Sequence, residues 1–361
     1  MFYRIADVTI SSTIELLSFK DFVCDGGEAD ISLAVTDEIP GEGSEVTSGT
    51  VVQRKIEGGW YFFLRGDDRR GLFARRDYTD LQLRGFGDSA AGSSAESLVR
   101  MAIECCLVKR GFVSLHASCI ELDGEAYAFS APSGTGKSTR AGAWQEAFGA
   151  EMISGDRPLV DVKNMEVYGV PWDGKEGCYR NVHFPLKVIF DIRRSETTYL
   201  RKMSFSQKRK LLMRQCFIPM WDTETAANQM VNISLLASNA EILRAFSGYR
   251  AEDAVKLHDE YEKVEFREEA KDMKAAEGYS LNDIDGELIL MPHNRSAGKK
   301  KPAVLLNVVT AFWWEKLQDP MCREDLLTAV LNEFDVSEEK ASADLDKYMV
   351  KLYKLGVIED D

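Results

Sequence analysis

Residues 131 to 138, Ala-Pro-Ser-Gly-Thr-Gly-Lys-Ser, carry the residue types best suited to chemistry in this chain. They fit the phosphate-loop pattern G-x-x-x-x-G-K-[ST], with Ala131 in place of the first glycine. Gly134 and Gly136 permit backbone conformations that a Cβ would block. The N–H groups of the loop, Ser133, Gly134, Thr135 and Gly136, and of the following helix from Lys137 to Thr139, can then converge on phosphate oxygens. Lys137 is spaced to reach the β- and γ-phosphates. Ser138 offers a hydroxyl to Mg²⁺, whose octahedral shell suits hydroxyl, water and phosphate oxygens. The expected cofactors are therefore ATP, or another nucleoside triphosphate, and Mg²⁺.

Flanking elements must hold this loop. Glu125 to Phe129 is a short apolar run before it. Thr139 to Phe148 places Ala143, Trp144, Ala147 and Phe148 on one helical face, and Gly149 is a stop signal. The order is strand, Gly-rich turn, helix. Upstream, Val113 to Leu122 reads as a strand joined to the next by Asp123-Gly124, a strong two-residue hairpin signal. The loop's strand is thus expected to have an antiparallel neighbour immediately before it. Glu151 to Ser154 reads as a further strand, which delivers Asp156 to the phosphate end of the sheet. Asp156 is the expected metal ligand or base, with Ser138 as the second metal ligand. Past it, Pro171 to Gly177 is a polar loop that sets Lys175 towards phosphate and Glu176 towards Mg²⁺ or the acceptor hydroxyl. Arg180, four residues beyond Glu176, is a further phosphate candidate.

Leu115-His-Ala-Ser118, the hairpin, the phosphate loop and Met152-Ile-Ser-Gly-Asp-Arg-Pro158 resemble the catalytic domain of the HPr kinase/phosphorylase family over about residues 113 to 260. They resemble more closely its relatives found beside peptide-modification genes. The resemblance implies a mixed sheet with hairpins, related to phosphoenolpyruvate carboxykinase, and phosphorylation of a serine hydroxyl. It implies a part for His116 beside the nucleotide or in proton transfer, and for Glu176 in the acceptor loop. It also implies an oligomer. The family usually has two consecutive Asp where this chain has Gly155-Asp156. That departure leaves one carboxylate for metal or base duty.

Composition bounds the rest. With 361 residues, two or three domains are expected. A net charge of −14 argues against non-specific nucleic-acid binding, which needs a positive surface. The seven Cys form no C-x-x-C pair, so neither a zinc site nor a disulfide framework is expected, and reduced thiols in the cytoplasm are the simplest reading. No apolar run approaches the ~18 residues needed to cross a bilayer. Residues 1–92 read as a β-rich support domain, in which Arg65 to Gly71 is expected to be a solvated loop. Residues 93–262 read as the catalytic domain, with a helix over Ser93 to Lys109 and a mostly helical run from Ala226 to Phe246. Arg193 to Arg214 is rich in Arg and Lys and is expected to form a solvated helix face.

Residues 263–277 are a charged linker. Residues 278–361 read as a hairpin around Asp285-Gly286 and three amphipathic helices, a winged-helix pattern. Tyr279-Ser-Leu-Asn-Asp-Ile-Asp-Gly-Glu-Leu-Ile-Leu, Leu306-Asn307 before a Trp-bearing helix and the terminal Leu355-Gly-Val-Ile358 resemble the PqqD family. That resemblance implies capture of a leader peptide as an added strand. Acidic residues crowd the second and third helices, a surface unfriendly to nucleic acid.

Together these features predict an α/β (α+β) multidomain protein that acts as an ATP- and Mg²⁺-dependent kinase on a hydroxyl of a ribosomally made precursor peptide. The partner is the leader peptide, held by residues 278–361; no nucleic acid and no membrane are expected. Two alternatives stay open: a catalytically impaired nucleotide-binding escort for the peptide, and a small-molecule kinase.

Overall fold

A computed structural model describes residues 1–361 apart from 39–40, 47–48, 87–92, 133, 173–178, 263–271, 294–301 and 361. The chain divides into two units, Met1–Arg267 and Glu268–Asp361. Both mix strands and helices, so the protein is a mixed α/β multidomain chain.

The first unit opens with eight strands: β1 (Phe2–Ile5), β2 (Val8–Ser12), β3 (Ile31–Thr36), β4 (Gly43–Glu45), β5 (Val51–Ile56), β6 (Gly59–Leu64), β7 (Asp67–Arg75) and β8 (Asp80–Arg84). They form one sheet in the order β1-β2-β3-β8-β7-β6-β5-β4. The charged tract from Arg65 to Gly71 is therefore mostly strand rather than loop. Asp68 to Arg70 keep their side chains in solvent and bulge between the rungs that pair Asp67 with Leu64 and Gly71 with Phe63. Helix α1 (Ser93–Lys109) has the bounds its periodicity predicts and buries Leu98, Ala102, Cys105 and Cys106. The expected boundary at residue 92 lies inside the first unit. One cluster of buried side chains runs across it, from Tyr3 through Phe62 and Leu98 to Trp172.

A second sheet holds β9 (Phe112–Ser114), β10 (Ala117–Leu122), β11 (Glu125–Ser130), β12 (Glu151–Ser154), β13 (Leu159–Asp161), β14 (Glu166–Tyr168), β15 (His183–Arg194), β16 (Tyr199–Lys202) and β17 (Ile242–Ser247). Asp123 and Gly124 both have positive φ, 53° and 81°, as a primed two-residue hairpin turn requires. The β10–β11 hairpin follows, with Leu122 opposite Glu125 and Ala117 opposite Ser130. β15 runs parallel to β11 on one side and to β17 on the other. Helix α2 (Lys137–Phe148) and α5 (Ala251–Glu262) cover one face, where Trp144 packs on Tyr127, Phe129 and Phe190. Helices α3 (Phe205–Gln215) and α4 (Thr223–Asn239) bury Leu212, Ile233 and Leu236 with Ala126, Ala128 and Ile189 of the other face.

The expected helical run from Ala226 to Phe246 is two elements. Helix α4 ends at Asn239, and β17 follows with all six side chains buried. A parallel strand covered on both faces loses the alternation that distinguishes strand from helix.

In the second unit, β18 (Met273–Ala275) pairs with β22 (Ile358–Asp360). β19 (Tyr279–Ile284), β20 (Glu287–Pro292) and β21 (Val304–Leu306) form a three-stranded antiparallel sheet in that order. Asp285 and Gly286 make its first turn, again with positive φ. Helices α6 (Val308–Lys316), α7 (Arg323–Glu333) and α8 (Glu338–Lys354) enclose Trp313, Leu317, Leu326, Leu345 and Leu352. Asn307 caps α6 by accepting the Thr310 N–H at 2.8 Å.

Candidate functional site

The end of β11 gives way at Ala131 to the loop that starts α2. Gly134 and Gly136 adopt φ of 81° and 83°, the left-handed region where a Cβ is strained. Gly136 is the N-cap of α2 and offers no side chain to accept from the N–H groups of the first turn. Ser138 is half-buried and Thr139 exposed on that turn, while Ser133 lies outside the described residues.

Lys137 folds back over the loop. Its Nζ donates to the Ala131 carbonyl at 3.2 Å, and the side chain is buried. Burial pulls the ammonium below the usual lysine range, an effect that the charge of Asp156 opposes. Lys137 and Asp156 are thus close enough for each to shift the other. Arg140, one turn along α2, braces the loop from behind. It donates from Nη1 to the Thr135 carbonyl at 2.8 Å and from Nη2 to the Ser247 carbonyl, at the end of β17, at 2.9 Å. Burial, with the like charge of Arg194 second, brings this guanidinium down to about 10.

His116 and Asp156 meet beside the loop. His116 sits just before β10, one residue from the rung that pairs Ala117 with Ser130, where the loop begins. Residues 115 to 117 are extended between two other segments. The Leu115 and Ala117 N–H groups donate to the carbonyls of Pro158 and Asp156, and the His116 N–H donates the other way, to Gln215 at 2.7 Å. The ring is held from both sides. Nε2 lies 3.2 Å from Asp156 Oδ1, and Nδ1 lies 3.1 Å from Gln215 Oε1. The His116 contact is the main cause that holds the Asp156 carboxyl below the usual carboxylate range, with Arg157 and Lys137 adding to it against burial. Asp156 Oδ2 pairs with Arg157 Nε at 3.8 Å. Next to Asp156, the Gly155 carbonyl accepts the Ser118 hydroxyl at 2.7 Å.

The structure therefore brings Lys137, His116 and Asp156 together at the end of the β10–β11 hairpin. It places Arg180 elsewhere: Nε donates to the Met152 carbonyl at 2.6 Å and Nη1 pairs with Glu151, both on β12. Lys175 and Glu176 lie outside the described residues.

Three site residues escape the sequence reading. Gln215 is a glutamine at a helix end with no local signal. Arg140 is hidden among helix residues. Asp191 interrupts the apolar run Val188-Ile-Phe-Asp-Ile192, and that interruption is a readable sign. Asp191 pairs across from Ser130 at the loop end of β15, is fully buried, and accepts from Arg193 at 2.9 Å and Arg244 at 3.1 Å.

Among the described residues no cluster of three or more His, Cys, Asp or Glu is arranged to enclose a metal. The available donors, the Ser138 hydroxyl and the Asp156 carboxylate, instead suit an ion that keeps water and phosphate oxygens in its shell, as Mg²⁺ does.

No family model matches this chain, and no curated protein matches it. Among solved structures it is similar to TbiB1 in complex with the TbiA(β) leader peptide. That match is 20% identical, covers 24% of this chain and 94% of the other, and has a TM-score of 0.20. No described helix is long and apolar enough to cross a membrane.

Proposed function

We propose that this chain is an ATP- and Mg²⁺-dependent kinase that phosphorylates a hydroxyl, of the serine type, on a ribosomally made precursor peptide. The observation that carries the reading is the juxtaposition of Lys137, in a two-glycine loop at a helix start, with the His116–Asp156 pair. The N–H groups of the first turn of α2 and a buried ammonium would hold a triphosphate. A carboxylate beside them accepts a proton.

Ser138 Oγ and Asp156 would hold Mg²⁺, which when bound neutralises charge on the β- and γ-phosphates. The remaining work falls to the chain. Lys137 leaves the Ala131 carbonyl for the phosphates. The acceptor oxygen bonds to the γ-phosphorus as the bond to the bridging oxygen breaks and ADP departs. The hydroxyl proton passes to the Asp156 carboxylate, which His116 orients, and Gln215 in turn orients His116. Catalysis is mostly positioning and charge neutralisation.

The second unit is read as the leader-binding module. β19 is an edge strand of its sheet, with no strand partner on its outer side among the described residues. An extended peptide added there gains main-chain hydrogen bonds. Tethering the leader raises the effective concentration of the acceptor.

The test is intact mass of a candidate precursor, encoded beside this chain, after incubation with the protein, Mg²⁺ and ATP. A gain of about 80 Da, absent with Lys137→Ala, is expected. ATP binding without any gain favours the escort reading, for which Gly155 in place of a second carboxylate is the motive. Transfer to a small molecule that survives deletion of residues 278–361 favours the third.

A further inference from the structure

Helix α3 carries a charge run that phosphoryl transfer leaves unused. Phe205 to Gln215 contains Lys208, Arg209, Lys210 and Arg214 and no carboxylate, in a chain of net charge −14. Lys208 turns to the Ala240 carbonyl at 3.3 Å. Arg209, Lys210 and Arg214 have no ion-pair partner among the described residues.

Beside these cations lie large apolar side chains. Phe205 and Met213 are 49% and 42% exposed on α3, and Val231 and Leu235 are 59% and 44% exposed on α4. None is needed to hold the two helices together, because Leu211, Leu212, Ile233 and Leu236 do that from the inner faces. Two shallow depressions, of about 530 and 350 Å³, adjoin at Arg209; the first follows α3 and the second α4. Scattered exposed apolar residues need no explanation. A clustered set flanked by charges of one sign is what an interaction surface shows.

We propose that this α3/α4 face docks an acidic amphipathic segment of the peptide acceptor, a short helix with large apolar side chains at i, i+4 spacing and carboxylates beside them. The cations select the charge, and the apolar stripe selects the spacing. The identity of that segment as part of the acceptor rests on the proposed function; the binding itself does not. The location suits the role. α3 extends about 15 Å from Phe205 to Gln215, and Gln215 is the partner of His116. The C-terminal end of α3 thus lies at the His116–Asp156 pair.

The test uses the full chain and a fluorescently labelled synthetic helix of Leu and Glu at that spacing, with a scrambled permutation and a Lys-for-Glu version as comparators. Anisotropy is expected to show binding of the Leu/Glu helix alone, weakened by salt. Affinity is expected to fall about tenfold or more in Arg209→Glu/Arg214→Glu, and likewise in Met213→Asp/Leu235→Asp. Lys137→Ala, which removes transfer, leaves binding unchanged. Equal binding of the scrambled peptide, no binding to the wild type, or full affinity in both double variants overturns the proposal. So does sedimentation showing a dimer that Met213→Asp/Leu235→Asp dissociates, because the face then belongs to a second copy. Binding as expected with no phosphoryl transfer by the wild type overturns the kinase reading and leaves the docking face standing.

Discussion

Gln215 takes hold of His116 twice: its carbonyl accepts the backbone N–H at 2.7 Å, and its Oε1 lies 3.1 Å from ring Nδ1. Only the second contact depends on the side chain. Gln215→Leu is therefore expected to slow phosphoryl transfer about tenfold, some 1.4 kcal/mol in the barrier, with nucleotide affinity unchanged. Gln215→Glu keeps an acceptor oxygen and is expected to recover most of the rate. Steady-state kinetics with a parallel nucleotide-binding titration checks both.

Lys137 is a buried cation whose pKa is pulled down chiefly by burial. Its charge therefore costs stability at neutral pH, a cost the proposed phosphate would offset. Lys137→Met is expected to leave the nucleotide-free protein at least as stable as the wild type. It is also expected to remove the stabilisation by Mg-ATP, about 2.7 kcal/mol at a hundredfold excess over Kd. Thermal unfolding with and without Mg-ATP reads both effects.

Asp156→Asn removes the proposed proton acceptor and is expected to lower the transfer rate by roughly 10²- to 10⁴-fold. The same variant has a signature in stability. The folded pKa of Asp156 lies below the ordinary 3.8, so the unfolded chain binds the proton more readily. The associated stability is present above that ordinary value and is lost as pH falls through the folded one. Urea unfolding between neutral and acid pH is expected to show a shallower acid loss in Asp156→Asn.

Gly169 is sealed against the backbone of Arg180 and Ile153. A Cβ there would sit 1.8 Å from the Arg180 carbonyl and 3.0 Å from that of Ile153. Both obstacles are backbone, so neither swings aside. Gly169→Ala is expected to destabilise the first unit by about 1–3 kcal/mol, read from the urea midpoint.

Asp222 joins the first sheet to α4. It caps the helix, accepting the N–H groups of Glu224 and Thr225, and also accepts the buried hydroxyl of Tyr78 at 2.9 Å. Asp222→Ala loses the cap and the carboxylate that accepts the Tyr78 hydroxyl, an expected loss of about 1–3 kcal/mol. Tyr78→Phe, which leaves the cap intact, is expected to cost less in the same denaturation experiment.

What could be read without coordinates was local. The loop, the Asp123-Gly124 and Asp285-Gly286 turns and the bounds of α1 follow from spacing within a few residues. β17 could not be read, because burial on both faces removes its alternation. The strand through Asp67 to Arg70 was hidden because charges on exposed positions look like a loop. Gln215 could not be read because its partner is 99 residues away. Arg180 shows the converse: nearness in sequence to Lys175 and Glu176 suggested phosphate, while its contacts lie on β12.

That long reach also orders events on the ribosome. The β10–β11 hairpin closes within a short stretch of chain, while β15, the other neighbour of β11, follows later. The brace on His116 comes only after α3 has emerged. A nascent chain halted between α2 and α3 would have the β10–β11 hairpin but neither the Gln215 hold on the imidazole nor the Ser247 carbonyl against which Arg140 braces the loop. The hairpin and the two braces beside it would then mature at different moments of synthesis.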